Sequence, residues 1–442
     1  MQFDLITIFP QYFDVLQLSL VGKAQETGKI HAQVHNLRQW AEGRHQSVDD
    51  SPAGGGPGMV MRPDVWGRAV DSVLGGEPAN TVLAIPTPAG KPLNQRMLEE
   101  LSKAERIVVL CGRYEGIDSR IAAHYAAQEG VEVLEYSLGD YVLNGGEIAA
   151  LALVEGVARL VEGVVGNPES VVEESHSDAG LLEGDVYTSP RTWRSLGTPP
   201  VLLSGDHARI QRWRRDSALR RTLRTRPDMI AALLSEEGAL NSRDREVLAG
   251  EGLLPTNPPV PVAFRPVEQD EEDLQLVSSL ATRTFPLACP PGTSGEEIDA
   301  FTSENLTPQA LRAEMGKGAR LGVAEVGGEA IAYTLLLPEH PEGALGEGRT
   351  LEDCAYVSKC YADADWQGSG VAGALLEWSL EDAVQAWGSK WSALGTNKGN
   401  RRAARFYRRH GYSKDGSRTF EVGGRQHADD VFVRDLTRDP PA

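Results

Sequence analysis

Two glycine-rich turns and one run of arginines hold the residues whose types and spacing could do chemistry. The first turn is SLGDYVLNGGE, residues 137–147, with three glycines, Asp140 and Glu147, set between a β-rich run and a long apolar helix. It contains no Lys, His or Cys, so its contribution would come from backbone rather than from a nucleophile. Glycine lets main-chain groups approach a ligand where a Cβ would stand in the way. The stretch is no Walker loop, since no Gly-Lys-Ser/Thr follows, and it carries no GxGxxG fingerprint. The second turn, QGSGVA at 367–372, lies between an apparent strand and the helix GALLEWSLEDAVQAW. Consecutive N–H groups at a helix N-terminus favour a pyrophosphate there. The arginine run, RIQRWRRDSALRRTLRTR at 209–226, holds eight arginines and a single acid, Asp216. In a chain of net charge −19 it is a local patch of strong positive charge.

The elements that must position these residues follow from periodicity. Over 1–166 the pattern alternates between strand and helix. FDLITIF, TVLAIP, RIVVLCG and VEVLEYSL read as strands; QYFDVLQLSLVGKAQE, NQRMLEELSK, IDSRIAAHYA and GEIAALALVEGVARLV read as helices. Strands rich in Val, Ile and Leu that alternate with helices imply a parallel sheet covered on both faces, an α/β class. Residues 167–190 are polar and read as an interdomain loop; 191–252 is a small helical domain with arginine-rich faces. In 253–262, LPTNPPVPV places four prolines within seven residues and reads as a semi-rigid linker. A new mixed α/β pattern runs over 263–442, with no internal repeat between the halves.

At 442 residues, two or three domains are expected. Cys111, Cys289, Cys354 and Cys360 form no CxxC pair, which argues against a zinc site or a disulfide framework and suits a reducing cytoplasm. The opening MQFDLITIFP reads as a strand rather than a signal peptide, and no apolar run reaches membrane-spanning length.

Four motifs in order, VDDSPAGGGPGM (48–59), CGRYEGID (111–118), SLGDYVLNGGE (137–147) and PPVLLSGDH (199–207), closely resemble the bacterial tRNA (guanine-N1)-methyltransferase family over about 1–250. The resemblance implies a SPOUT-type fold whose parallel sheet ends in a trefoil knot, with the knot loops wrapping S-adenosylmethionine. On this chain the cofactor-binding positions fall at Pro86, Thr87, Pro88 and Gly90; at Gly112, Arg113, Tyr114 and Glu115; and at Ser137, Leu138, Gly139, Asp140, Tyr141, Val142, Leu143, Gly145 and Gly146.

The family reaction methylates N1 of the guanosine just 3′ of the anticodon. N1 carries a proton, so a carboxylate must accept it while a cation steadies the charge developing on O6. By resemblance the base is Glu174, before Ser175, and the cation is Arg159. The chain departs from the family in having Glu rather than Asp at 174, a loop one residue longer, and Ser189 where Arg is common. Asp178 therefore stands as a second candidate base, and Arg191 as a substitute for the missing Arg. Arg209, Arg212, Arg214, Arg215 and Arg220 would bind tRNA phosphates. The resemblance also implies a homodimer and dependence on Mg2+, although the sequence shows no dedicated metal cluster.

The C-terminal segment, with QGSGVA, Asn400 and AARFYRRHGY, resembles the GNAT-type N-acetyltransferases over roughly 263–437. The acetyl-CoA pyrophosphate would then sit on Gln367, Gly368, Gly370 and Ala372, with Asn400 nearby and the thioester against strand backbone around Val357 to Lys359. Tyr407 would protonate the departing thiolate, or else simply be the buried face of an amphipathic helix. No residue identifies the acetyl acceptor. The competing reading is a SPOUT methyltransferase for another RNA, with a C-terminal domain that serves only as an interaction module.

Overall fold

The computed structural model describes residues 1–76, 80–165, 175–176, 180–289, 293–341, 344–345, 351–422 and 425–438, with backbone alone for 420–422 and 425–427. It divides into two compact units, Met1–Ala179 and Gly180–Ala442.

The first unit is built on a five-stranded sheet of β1 (Gln2–Thr7), β2 (His31–Asn36), β3 (Thr81–Pro92), β4 (Arg106–Leu110) and β5 (Val131–Ser137). The order is β2-β1-β4-β3-β5, and every neighbouring pair is parallel. Parallel strands need crossovers, and helices on both faces supply them. Alternate strand residues show the two faces. Val82, Ala84, Ile107 and Val109 pack on one side with Ala150, Leu153, Val154 and Val157 of α5 (Glu147–Ala158). Leu83, Ile85, Val108 and Leu110 pack on the other with Trp66, Ala69 and Val70 of α2 (Pro63–Leu74). The α5 helix is apolar nearly all round because it is a core element rather than a surface one. Among the described residues, the other α-helices of this unit are α1 (Ser19–Glu26), α3 (Gln95–Leu101) and α4 (Arg120–Ala126).

The expected single helix over 11–26 is in fact two pieces, a 3-10 helix at Pro10–Gln17 and then α1. The chain turns at Ser19, whose φ is +55°. Gly22 accommodates that turn, since a Cβ there would lie 2.1 Å from the Gln17 carbonyl oxygen. The strand expected over 81–86 continues to Pro92, pairing with β5 again beyond a register shift between Pro86 and Lys91.

In the second unit, after a short hairpin of Thr192–Trp193 with Leu196–Gly197, come α6 (His207–Thr225), α7 (Pro227–Leu234) and α8 (Ser242–Gly250), gathered around Leu219, Ile230, Leu233, Val247 and Leu248. A seven-stranded sheet follows: β6 (Ala263–Pro266), β7 (Arg320–Val326), β8 (Glu329–Leu337), β9 (Cys354–Ala362), β10 (Trp391–Asn397), β11 (Ser413–Val422) and β12 (Arg425–Asp435). Its order is β6-β7-β8-β9-β10-β12-β11, antiparallel throughout except for β9 against β10. One face carries α9 (Glu271–Thr284), α10 (Gly295–Asn305) and α11 (Pro308–Gly316). The other carries α12 (Val371–Trp387) and α13 (Arg401–Arg409).

The proline-rich 253–262 stretch reads as a spacer in sequence, yet in the fold it is sealed into the second unit. Leu253–Leu254 pairs with Val260–Pro261, and Leu254 and Val262 are buried with Ala324, Ile331, Val371 and Leu375. Its prolines stiffen a short hairpin whose apolar residues reach the sheet, so the sheet shares a core with the hairpin and with Ala249 at the end of α8.

Candidate functional site

In the first unit three loops meet at the carboxyl ends of β3, β4 and β5, where ligands gather in open parallel sheets. Glycine marks each close approach. A Cβ on Gly90 would lie 2.4 Å from the backbone nitrogen of Tyr136, and one on Gly146 would lie 3.1 Å from the Cα of Cys111. The Gly146 N–H donates to the Gly112 carbonyl at 2.9 Å, and Arg113 bridges to Gly145 in antiparallel fashion. Ser137 holds the next turn through its hydroxyl, which donates to the Gly139 carbonyl at 2.9 Å and accepts the Gly139 N–H at 3.1 Å. Tyr114 adopts a φ of +58° and stands exposed, as do Tyr141, Val142 and Leu143. Pro86 and Thr87 are half-buried at the rim, and Pro88 is exposed.

One group in this site escaped the sequence reading. Glu147 is 1% exposed; its carboxylate accepts from the Thr7 hydroxyl at 2.8 Å and from Arg113 Nε at 3.1 Å. The Arg113 guanidinium also lies 4.7 Å from the Phe9 ring centre and 5.2 Å from that of Tyr12. Thus the Arg113 side chain is committed to an internal lock that joins the end of β1, the 112–116 loop and the start of α5. Glu147 was visible in its motif, but a partner 140 residues away in sequence is not.

Arg159 is the residue that follows α5 and is half-buried. Glu174 and Asp178 lie outside the described residues; between them Ser175 and His176 are placed, His176 with φ +68°. Among the described residues, no group of three or more His, Cys, Asp and Glu is arranged to hold a metal ion.

The arginine run forms α6, and its members have different tasks. Asp244 of α8 is fully buried and accepts from Arg212 Nη2 at 2.8 Å and from Arg215 Nη2 at 2.8 Å. Burial alone would raise the Asp244 carboxyl, but Arg215 and Arg212 outweigh it and hold the pKa below the ordinary carboxylate value. Arg220 pairs with Glu251 at 3.0 Å. Arg214 is exposed and Arg209 half-buried. Arg212 and Arg215 therefore bind α6 to α8, a role that composition could not separate from phosphate contact.

The second unit contains a cavity of about 650 Å3. Strands β9 and β10 pair only over Cys354–Tyr356 with Trp391–Ala393 and then part, and the gap between them opens this space. On β9 a register shift against β8 at Leu335/Leu336 falls beside Ser358, which lines the cavity with Val357 and Cys360. Gln367, Gly368, Gly370, Ala372, Asn400 and Tyr407, all expected around one ligand, are brought together on its walls. Gly368 and Gly370 have φ of +85° and +93°, which aims the turn into the N-terminus of α12. Asn400 caps α13, accepting the Ala403 N–H at 3.0 Å. Burial pushes the Tyr407 phenol well above its ordinary pKa, so it keeps its proton. Its ring contacts Phe406 and Tyr412 edge-on. Arg402, Arg405 and Arg409 also line the cavity, which makes one wall cationic.

The sequence matches the tRNA (Guanine-1)-methyltransferase TrmD family model over residues 1–232 and the Acetyltransferase (GNAT) family model over 282–412. It is 52% identical over 264 residues to a tRNA (guanine-N(1)-)-methyltransferase of Thermobifida fusca, an alignment that covers 59% of this chain and 99% of that protein. The namesake from Salinispora arenicola is 51% identical over 265 residues, covering 60% of this chain and all of that protein. A third, from Saccharopolyspora erythraea, is 53% identical over 249 residues, covering 56% and 93%. With its glycine-lined loops inside the matched region and its cavity turn inside the second match, the chain belongs to the tRNA (guanine-1)-methyltransferase family and carries a GNAT-family domain behind it.

Proposed function

We propose that the first unit, with the arginine-rich helix, methylates N1 of the guanosine immediately 3′ of the anticodon in tRNA, and that the GNAT domain transfers an acetyl group from acetyl-CoA to an acceptor. The observation that carries the first reading is the meeting of three loops, with glycine at each close approach, at the carboxyl ends of β3, β4 and β5, where open parallel sheets take their ligands. That cradle fits S-adenosylmethionine, which when bound supplies an electrophilic methyl group. Glu174 or Asp178 accepts the N1 proton, and Arg159 steadies the charge that moves toward O6. The outward arginines of α6 hold the RNA by its phosphates.

The close passage of Gly90 across the Tyr136 backbone supports a knotted path at these loops. The exposed Tyr141, Val142, Leu143 and Ile148 support a homodimer in which a second copy covers them. In the GNAT domain the cavity turn and its cationic wall suit the phosphates of acetyl-CoA, a thioester that supplies the acetyl group. The Tyr407 phenol, still protonated, holds the proton for the thiolate that leaves.

The test is methyl transfer from labelled S-adenosylmethionine to unmodified tRNA transcripts with guanosine or adenosine after the anticodon, followed by mass mapping. Label on N1 of that guanosine alone is the expected result. Label elsewhere, or in neither transcript while the cofactor binds, would overturn the assignment.

A further inference from the structure

The cavity in the GNAT domain has a wall that the domain itself does not supply. Ser242 and Glu246, both on α8, line it together with the turn at Gln367–Ala372. This helix precedes the proline-rich stretch and lies outside the 282–412 GNAT match. The packing is close enough to account for one glycine of the turn and one in the first turn of α12. A Cβ on Gly370 would fall 2.4 Å from the Arg245 carbonyl carbon, and one on Gly373 would fall 2.8 Å from Glu246 Cδ and 2.9 Å from His410 Cε1. Glu246 is largely buried, and its carboxylate lies 3.4 Å from Arg409 and 3.5 Å from the His410 ring. The backbone of α8 is thus pressed onto the phosphate-binding turn, and its carboxylate holds an arginine of the opposite wall.

We propose that the acyl-CoA site is composite: α8 forms its second wall, Ser242 faces the bound thioester cofactor, and Glu246 is a positioning residue that fixes Arg409 beside its phosphates. This rests on the acetyl-CoA reading given above. It follows that the GNAT domain is not a tethered module with a self-contained cofactor site, because the helix that grips Arg212 and Arg215 on one side closes the cavity on the other.

The experiment uses the intact chain and acetyl-CoA as the probe. Ser242 is exposed, so Ser242→Cys is a small change that leaves a thiol open to a maleimide; its rate of alkylation is read at the peptide level by mass spectrometry. Saturating acetyl-CoA should slow that rate at least several-fold, while Ser242→Trp, checked for folding by circular dichroism, should weaken binding at least tenfold by calorimetry. An unchanged alkylation rate in protein that demonstrably binds acetyl-CoA would overturn the composite site and leave the cofactor reading standing. No acetyl-CoA binding to the unaltered chain would overturn the cofactor reading, and the composite site with it.

Discussion

Asp244 and Glu246 stand two residues apart on α8 and hold its opposite sides. Asp244 accepts hydrogen bonds from Arg212 and Arg215 of α6, and Glu246 pairs with Arg409 and His410 beside the cavity. A two-residue step on a helix turns through about 200°, so the two carboxylates cannot share a face. One short helix therefore joins the arginine-rich surface to the GNAT domain.

Removing Asp244 should be costly. Asp244→Ala leaves Arg212 to its pair with Asp216 and Arg215 to the Ala239 carbonyl, takes away the carboxylate the two share, and deletes half of a capping box with Asn241. Breaking a buried pair on one side costs about 3–5 kcal/mol. The expected outcome is a clear drop in the thermal midpoint of the second unit's transition, larger than for Asp228→Ala, whose exposed partner is Arg226. Equal effects of the two variants would contradict a central role for Asp244.

The arginines of α6 should separate into two classes by salt dependence. Arg214→Ala should lower the slope of log K for tRNA against log salt by about 1, since the residue is exposed. Arg215→Ala should act chiefly by destabilising the fold, since its guanidinium is bound to Asp244 at 2.8 Å. Salt titrations of tRNA binding, alongside melting curves, make the comparison. A steep slope left intact by Arg214→Ala would remove that residue from the RNA surface.

The lock between Glu147, Arg113 and Thr7 gives a further test. Glu147→Ala frees Arg113 and leaves the Thr7 hydroxyl without its acceptor. The loss should be about 3–5 kcal/mol of stability, as for other broken buried ion pairs. S-adenosylmethionine binding should weaken more than tenfold, because the 112–116 loop and the 145–146 glycines lose their common anchor. Gly90→Ala should be as damaging, since its methyl group would have to displace the Tyr136 backbone. Calorimetry with the cofactor reads both variants.

His410 sets a pH dependence for the second unit. Burial opposes its charged form, but Glu246 and Glu377 outweigh that, and the pKa is raised above the ordinary imidazole value. The charges that face it come from Glu246 on α8, Glu377 on α12, Arg409 on its own helix and Arg434 on β12. A raised folded pKa stabilises fully below the unfolded value of about 6.5, and the contribution is lost as pH climbs through the folded value. Glu377 has the opposite sign: burial would raise it, but His410 and Arg434 bring it down to about 2. Its contribution is present above the unfolded value of about 4.3 and disappears as acid approaches the folded one. Melting temperatures from about pH 6 to about pH 9 should fall more steeply in the unaltered chain than in His410→Gln. Parallel curves would show that His410 does not titrate in this range.

Much of this protein could be read from local pattern. Val-, Ile- and Leu-rich strands such as RIVVL, alternating with helices, specified a parallel sheet, because a strand buried on both faces must be apolar on both. The motifs at 111–118 and 137–147 identified the loops that meet, since glycine at a close approach leaves a signature in the sequence itself. Long-range pairing left no such trace. Nothing in the arginine run distinguished Arg215 from Arg214; burial against Asp244 did, and burial depends on which helix face meets a neighbour. Thr7 and Glu147 meet only because the start of α5 comes to the end of β1, a strand that β4 and β3 separate in the sheet from the β5 that α5 follows. The prolines of 253–262 announced stiffness, but whether a stiff segment hangs free or seals a core depends on the apolar partners that Leu254 and Val262 find. Local chemistry determined the elements and the glycine-rich turns; tertiary packing decided which charges tie helix to helix, which remain outward, and which helix lines the cavity of the second unit.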